Sequence, residues 1–365
     1  MSDKQQLVVL FGGRSCEHEV SVTSARSMLP HIDRTRFDVT LVGISKTGRW
    51  MLIDEAANVL SEATIESEAA PSVLVDHAGA SQLLIADTGG LRQQPVDVVF
   101  PLLHGPFGED GTVQGLLELA GIATVGCGVA ASAVGMDKEQ AKRAFKAEGL
   151  PQVEFRVVRR TRFEERPDNV IFELEVALPY PMYVKPARMG SSVGVSKAED
   201  NHSLRTALAH AAEFDTKVIV EAAATGCREI ECAVLGNEVP LASVLGEIRP
   251  SNEFYDYAAK YQSGDSELII PARLNDALTE QVRTLAVRAF KAIGGSGLAR
   301  VDFFVRPEDG TVLLNEINTM PGFTPISMYP KLWEATGVPY GELISRLADL
   351  ALDRHAQHAR NRPGL

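Results

Sequence analysis

The sequence has little of what marks several common protein classes. In 365 residues it has only four cysteines, and acidic side chains outnumber basic ones by 48 to 36. The net charge of −12 argues against binding to nucleic acid or to an anionic membrane surface, because such proteins are usually basic. No apolar run approaches the length that a bilayer span requires. We therefore expect neither a nucleic-acid nor a membrane partner.

The cysteines are scattered, and their spacing fits neither a disulfide framework nor a zinc site. They stand at Cys16, Cys127, Cys227 and Cys232. We interpret them as reduced thiols and expect a cytoplasmic protein without a secretion signal. The chain has no internal repeat, and its length suggests two or three domains. The polar tail 355–365 is expected to be frayed.

Two common nucleotide-binding motifs are also missing. Gly12 and Gly13 follow the first predicted strand, but the residues after them do not complete GxGxxG. The loop Met189–Gly194 follows a strand ending at Lys185, yet it is not a P-loop. Its small residues would let backbone N–H groups close around phosphate oxygens, with Lys185 adding positive charge. We interpret this loop as a mobile hairpin flap, although such a composition is more often an ordinary turn.

The apolar pattern that is present predicts an α/β fold. LVVLFGG, VTLVGIS and VDVVFPLLHG read as buried strands of a parallel sheet, and a helix follows the first of them. The Ala- and Ser-rich stretch 54–90 is interpreted as short surface elements. A charged amphipathic helix over 136–151 has Asp137 as its cap. Lys138 is singled out in its first turn, and most of the helix's other basic residues are assigned to solvent.

The stretch 297–322 is the most informative. It reads as two strands joined by a glycine-containing turn. Because side chains alternate along a strand, Asp302 is expected opposite Glu316, and Arg300 opposite Asn318. Two facing carboxylates repel unless a cation lies between them, and oxygen ligands favour Mg²⁺ or Mn²⁺ carried with phosphates. A solvated face with Arg–carboxylate pairs is the alternative.

Two further segments are candidates for ligand binding. His104 lies at a strand end before a Gly-rich loop, where open α/β sheets bind ligands, although a helix-capping loop has the same composition. Glu221 and the backbone of 222–224 lie between two predicted domains, the usual position of an adenine-binding hinge. A plain interdomain linker is the alternative there.

The segment Arg249–Glu267 is too long for an ordinary loop, and its aromatic residues argue against disorder. We interpret it as a lid with Lys260 and Tyr261 facing the site.

Together these motifs resemble the D-alanine–D-alanine ligases, which are ATP-grasp enzymes, over essentially the whole chain. The resemblance rests on GGRSCEHEVS, LHGPFGEDGTVQG, MDK, VKPARMGSSVG, GCREIECAVLG, EFYDYAAKY, RVDFF and LNEINTMPGFT. It implies a three-domain α/β fold: a parallel α/β substrate domain (1–127) and two α+β domains (128–227 and 228–365) that clamp ATP. It also implies ligation of two D-alanine molecules through a D-alanyl phosphate, for peptidoglycan synthesis, and a homodimer.

The resemblance further implies roles for individual residues. Those expected at the reacting atoms are Glu17, Ser191, Tyr261, Arg300 and Gly322. Further substrate contacts are expected from Val20, His104, Ser327 and Met328. The expected ATP contacts are Lys138, Lys185, Glu221, Ala222, Ala224, Glu229 and Lys260. The expected ligands of two Mg²⁺ or Mn²⁺ ions are Asp302, Glu316 and Asn318. An extra residue near Cys227 departs from the family spacing and bears on the ribose contact of Glu229.

Three alternatives stay open. A D-alanine–D-lactate ligase would share the fold and the first step, but Tyr261 in the lid favours the dipeptide. An ATP-grasp ligase for another carboxylate, such as one of purine synthesis, is disfavoured by GGRSCEHEVS and EFYDYAAKY. A non-catalytic nucleotide sensor would need neither the converging carboxylates nor Arg300.

Overall fold

The computed structural model describes residues 4–55, 65, 70–76, 81–249 and 267–361. Lys260, Tyr261 and most of the predicted lid lie outside these ranges, so the predictions made for them stay predictions. None of the helices in the described ranges combines the length and the apolar composition needed to cross a membrane.

Strands in the described ranges form three sheets. They are β1 (Gln5–Gly12), β2 (Phe37–Ile44), β3 (Trp50–Ile53), β4 (Ser72–Val75), β5 (Gln82–Asp87), β6 (Gly90–Pro95), β7 (Val98–Leu102), β8 (Ala123–Thr124), β9 (Phe155–Arg159), β10 (Met182–Pro186), β11 (Ser196–Ala198), β12 (Lys217–Ala222), β13 (Arg228–Gly236), β14 (Leu241–Arg249), β15 (Glu267–Ile269), β16 (Gly297–Arg306) and β17 (Thr311–Asn318).

The helices pack on the faces of these sheets. They are α1 (His18–Met28), α2 (Thr112–Leu119), α3 (Val129–Met136), α4 (Lys138–Ala147), α5 (Arg160–Glu165), α6 (Pro167–Ala177), α7 (Asn201–Phe214), α8 (Asp276–Ala292), α9 (Met328–Ala335) and α10 (Tyr340–Ala359).

The first sheet has the strand order β6-β5-β4-β3-β2-β1-β7-β8. Strands β2, β1, β7 and β8 pair in parallel, as the apolar runs of β1, β2 and β7 predict, and β3 to β6 add an antiparallel meander. The prediction that 54–90 forms only surface elements is wrong in part, because Val73, Leu83 and Ile85 are buried in this sheet. The alternation in QLLIAD, which places Leu83 and Ile85 on one face, is the strand signal there.

The second sheet, β11-β10-β12-β9, is antiparallel throughout and packs its core against α6 and α7. The loop Met189–Gly194 connects β10 to β11, so the predicted flap does join an antiparallel hairpin. Ser191 and Ser192 have φ of 46° and 59°, a region that residues other than glycine adopt infrequently. The flap is therefore a tight turn, and its two serines have left-handed backbone conformations.

The third sheet, β15-β14-β13-β16-β17, contributes to two cores. One includes apolar residues of α3, α4 and α8, and the other includes those of α9, α10 and the first sheet. Ala141 and Phe145 of α4 belong to the first of these cores. Residues 129–147, predicted to open the central domain, therefore pack on the C-terminal sheet, and the domain boundaries stay a prediction.

The predicted hairpin is formed by β16 and β17. Asp302 pairs with Glu316, and Arg300 pairs with Asn318, so the predicted register is confirmed at the polar residues. Nearer the turn the register shifts by one, which leaves Asn315 as the extra residue of a bulge. Alternation predicts which faces meet, but it does not predict a bulge.

The last helix extends into the tail that was predicted to be frayed. Helix α10 continues to Ala359, so the prediction of a frayed tail from residue 355 is wrong for these residues. Arg354 anchors the extension, because its guanidinium donates to Thr124 O at 2.8 Å and also bonds Gly126 O and Ser296 Oγ.

Candidate active site

A cavity of about 720 Å³ lies between the three sheets. The predicted site residues that line it are Glu17, His104, Lys138, Lys185, Ser191, Glu221, Ala222, Ala224, Glu229, Arg300, Asp302, Glu316, Asn318, Gly322, Ser327 and Met328. Val20 is buried in α1 and is not part of this lining. The fold thus brings together residues from both ends of the chain.

Three carboxylates lie on neighbouring strands beside the cavity. Glu231 pairs with Asp302 across β13 and β16, and Asp302 pairs with Glu316 across β16 and β17. Arg300 bridges the first two: its Nε lies 3.0 Å from Glu231 Oε2 and donates to Asp302 Oδ1 at 2.8 Å. Burial disfavours its charged form, but Asp302 and Glu231 hold the pKa of Arg300 well above its usual value. Arg300 therefore stays charged.

The predicted metal ligands provide only oxygen donors. Asn318 Nδ2 donates to Asp302 Oδ2 at 3.0 Å, so the amide oxygen is the Asn318 atom that could coordinate a metal ion. Lys138 Nζ lies 3.5 Å from Glu316 Oε2. In the described part of the chain, no group of three or more His, Cys, Asp or Glu side chains is arranged to hold a metal ion. Two carboxylates and one amide suit Mg²⁺ or Mn²⁺ when phosphate oxygens supply further ligands. The residues thus fit an ion carried by a nucleotide.

Glu221 is buried at the end of β12 between two lysines. Its Oε1 lies 2.8 Å from Lys142 Nζ, and its Oε2 lies 2.7 Å from Lys185 Nζ. Burial would raise the pKa of Glu221, but the two ammonium groups outweigh burial and lower it to about 2. Burial likewise disfavours charged Lys185, but Glu221 and Glu316 raise its pKa. We call Lys142, Glu221 and Lys185 the Glu221 cluster.

Lys138 connects helix α4 to the flap. Its Nζ donates to Met189 O at 2.9 Å, and its N–H donates to Ala187 O at 3.0 Å. The predicted cap is confirmed, because Asp137 accepts from the N–H of Glu139 at 3.1 Å. Lys138 and Lys185 therefore place two positive charges beside a loop of small residues, an arrangement suited to phosphate.

Glu17 lies under the flap and is 5% exposed. Ser191 Oγ donates a short hydrogen bond to Oε1. Oε2 is buried and has no hydrogen-bond partner within the described residues. Glycines flank this oxygen: a Cβ at Gly190 would lie 2.6 Å from it, and one at Gly105 would lie 2.5 Å away. A buried carboxylate oxygen without a donor is costly, so Glu17 is suited to bind a cationic group.

His104 uses both ring nitrogens within the protein. Nδ1 lies 3.1 Å from Met320 O, and Nε2 lies 3.1 Å from Ser24 Oγ. Burial lowers the pKa of His104, which favours a neutral ring with one donor and one acceptor. His104 therefore connects the N-terminal sheet to the loop after β17, and its predicted contact with substrate stays a prediction.

Glu109, which lies in the same predicted ligand-binding loop as His104 but has no role of its own assigned from the sequence, makes a parallel connection. Its carboxylate accepts from Gly105 N–H at 2.8 Å and from Met320 N–H at 3.2 Å. Burial and the nearby charge of Glu17 raise the pKa of Glu109 to about 8. Its place in the polar loop LHGPFGEDG was the available signal.

Two family models match the chain. One described as D-ala D-ala ligase N-terminus matches residues 6–127, and one described as D-ala D-ala ligase C-terminus matches residues 144–349. The D-alanine–D-alanine ligase of Ruminiclostridium cellulolyticum is 50% identical over 363 residues, covering 96% of each chain. The chain belongs to the D-alanine–D-alanine ligase family. The predicted family and α/β fold class are confirmed.

Other similar proteins and solved structures support the same family assignment. The ligase of Heliobacterium modesticaldum is 50% identical over 358 residues, covering 98% of this chain and 97% of the relative. The solved ligase of Coxiella burnetii has a TM-score of 0.85 and 35% identity, covering 98% of this chain and 97% of that one. The VanG D-Ala:D-Ser ligase of Enterococcus faecalis has a TM-score of 0.85 and 36% identity, covering 95% and 99%.

Within this ligase fold, the sequence analysis missed Lys142 and Glu231. Lys142 was assigned to solvent with the other charges of α4, but its side chain is 2% exposed. Its position four residues after Lys138, beside the buried Ala141 and Phe145, was the available signal. Glu231 lies two residues after Glu229 on the same face of β13. The sequence alone therefore does not tell which of the two glutamates lies beside Asp302; in the structure Glu231 pairs with it.

We expect Gly190→Ala to raise the KM for the first D-alanine about tenfold or more, because the new methyl group occupies the space beside Glu17 Oε2. Gly190 has no positive φ, so backbone strain is not expected to contribute. Steady-state kinetics with D-alanine varied would measure the effect. Gly115→Ala in α2 is the control, and an unchanged KM in Gly190→Ala would contradict the assignment of this space to substrate.

We expect Glu221→Gln to destabilise the protein by about 3 kcal/mol at neutral pH, because two lysines lose their anion. The pKa of Glu221 is depressed, so its contribution is fully present above its ordinary 4.5 and is lost as pH falls through about 2. The stability difference from wild type should shrink across that window. Denaturant unfolding from pH 7 to pH 3 would measure it; a constant difference would contradict the assignment.

Proposed function

We propose that this chain joins two D-alanine molecules into D-alanyl-D-alanine with ATP, releasing ADP and phosphate, for peptidoglycan precursor synthesis. The observation that carries the proposal is the content of one cavity: two lysines beside a loop of small residues, a set of oxygen atoms suited to a metal ion, a charged arginine and the buried Glu17 carboxylate. The curated relatives that are about half identical over the whole chain are D-alanine–D-alanine ligases.

In the first step, the carboxylate of one D-alanine attacks the γ-phosphorus of ATP, the bond to ADP breaks, and D-alanyl phosphate forms. Glu17 binds the ammonium of this D-alanine, and Ser191 fixes the Glu17 carboxylate. Lys138 and Lys185 offset the repulsion between carboxylate and phosphate. Mg²⁺, held by Asp302, Glu316 and Asn318, would neutralise further phosphate charge when bound. Ala222, Ala224 and Glu229 contact the adenosine.

In the second step, the amine of the other D-alanine attacks the carbonyl carbon, loses a proton, and phosphate leaves with the bridging oxygen. The transient oxyanion needs donors, which we assign to Arg300 and the Gly322 N–H. A Cβ at Gly322 would lie 2.6 Å from Ser327 Oγ, so glycine lets the backbone pack closely against Ser327. Ser327 and Met328 contact the second substrate.

The flap and the lid exclude water, since water would hydrolyse the acyl phosphate. Tyr261 of the lid is proposed to bond Ser191, and Lys260 is proposed to bind phosphate. We also propose a cytoplasmic homodimer, and the four free cysteines support a reducing compartment.

The test is turnover with defined acceptors. The purified protein, ATP, Mg²⁺ and D-alanine should release ADP and dipeptide in equal amounts, and D-alanine should be required. D-serine and D-lactate, offered as competing acceptors, should give less product as measured by mass spectrometry. ATP binding without D-alanine-dependent ADP release would indicate a nucleotide sensor, and predominant depsipeptide would indicate a D-lactate ligase.

A further inference from the structure

Lys142 is a buried lysine that the proposed reaction does not use. It lies one helical turn after Lys138, and its side chain is 2% exposed. Its ammonium is 2.8 Å from Glu221 and 5.6 Å from the centroid of the Phe155 ring. Burying an ammonium group is costly even when it is paired, and an apolar side chain would fill the same space at lower cost. The lysine charge itself therefore calls for an explanation.

The members of the Glu221 cluster differ in their access to the cavity. Lys185 is 14% exposed, whereas Glu221 is 3% exposed and Lys142 is 2% exposed. All three residues line the cavity, but Lys185 is the most exposed of them, so its ammonium group is the most accessible to a ligand. Lys185 and Glu221 alone would form a neutral pair with little attraction for an anion. With Lys142 added, the cluster carries a net charge of one positive unit.

We propose that Lys142 is a positioning residue for the nucleotide phosphates. By balancing Glu221, it keeps the charge of Lys185 available to phosphate and holds the Glu221 carboxylate between the two ammonium groups. Lys142 itself does not touch the nucleotide. The inference rests on the proposed use of ATP and deepens it, because it assigns phosphate affinity to a lysine whose side chain is only 2% exposed.

The net charge of the Glu221 cluster predicts an order of affinities for ATP. The cluster's net charge is +1 in the wild type, 0 in Lys142→Met, +2 in Glu221→Gln and +1 in the double variant. The affinity for ATP relative to adenosine should follow this order, so that the double variant returns close to wild type. Lys142→Met should lower the ratio of ATP affinity to adenosine affinity about tenfold. This is the size expected for the loss of one unit charge about 12 Å from a phosphate charge at an effective dielectric of about 20.

The experiment is calorimetric titration of each variant with ATP, ADP and adenosine in the presence of Mg²⁺. Lys146→Met, one turn further along α4 and exposed, is the matched control for loss of a lysine from this helix. Methionine keeps the length of the side chain and leaves the Lys185–Glu221 pair intact, and thermal melts check folding. If Lys142→Met does not fold, comparing the double variant with Glu221→Gln measures the effect of the Lys142 charge on ATP affinity instead.

Equal losses of ATP and adenosine affinity in Lys142→Met would assign it a packing role and overturn the proposal. An unchanged ratio, or the same fall in Lys146→Met, would overturn it as well. If the wild type binds ATP but does not ligate D-alanine, the proposed function is wrong. The order of ATP affinities among the variants would still test the role of Lys142. A wild type that does not bind ATP would overturn both.

Discussion

Glu316→Gln is expected to lower the rate of ADP formation by about a thousandfold or more, because a metal's charge stabilisation is worth several kcal/mol in such a transition state. Glutamine keeps the size of the side chain but removes one of the two carboxylates, paired across β16 and β17, that are proposed as metal ligands. Folding should be preserved, since the Glu316 side chain is 28% exposed and glutamine has nearly the same size. ADP release and a thermal melt measure the two effects.

The control for this variant is Glu308→Gln, in the exposed turn of the same hairpin. It removes the same charge from the same element, away from the cavity. It should retain wild-type turnover. Near-normal activity of Glu316→Gln at saturating Mg²⁺ would remove Glu316 from the proposed metal site. Direct Mn²⁺ binding, followed by electron paramagnetic resonance, should show weaker binding in this variant independently of activity.

Glu17→Gln is expected to reduce kcat/KM for the first D-alanine about 100-fold or more, because the substrate ammonium loses its buried partner. ATP affinity should be unchanged. The same substitution should leave thermal stability equal or higher, since it removes a buried carboxylate whose Oε2 has no hydrogen-bond partner in the described ranges. A residue that destabilises the free protein and serves the reaction would show this opposite pair of effects.

The matched control is Glu19→Gln on the same helix, where the carboxylate forms a surface ion pair with Lys46 at 2.5 Å. Its loss should change kcat/KM by less than about threefold. If Glu17→Gln and Glu19→Gln behaved alike in D-alanine kinetics, Glu17 would not be the ammonium site. A large fall in stability of Glu17→Gln would indicate a structural role instead.

Local patterns were sufficient to predict the central hairpin. Alternation along two strands predicts Asp302 opposite Glu316, and the structure has this pair. The same reasoning could not predict the bulge at Asn315, because a bulge changes the register without changing the composition. Helix α4 illustrates a second limit: periodicity placed Lys142 on a helix, but only the packed sheets determine that this face is buried.

Contacts between distant segments were not predictable from pattern alone. Ser191 bonds Glu17 across 174 positions of sequence, and His104 contacts Met320 across 216. The resemblance to the ligase family implied that Ser191 and Glu17 both lie at the reacting atoms. It gave His104 as a substrate contact, whereas the structure shows both ring nitrogens bonded within the protein. A motif can therefore suggest the role of a residue, but only the packing of distant segments shows which atoms that residue contacts.

The central claim is that a D-alanine carboxylate becomes an acyl phosphate in this cavity. The most direct measurement uses D-alanine labelled with ¹⁸O in both carboxylate oxygens. The account predicts that each ligation transfers one labelled oxygen to inorganic phosphate, since the bridging oxygen leaves with phosphate. Mass spectrometry of the phosphate would detect it. Dipeptide formed with unlabelled phosphate would contradict the account.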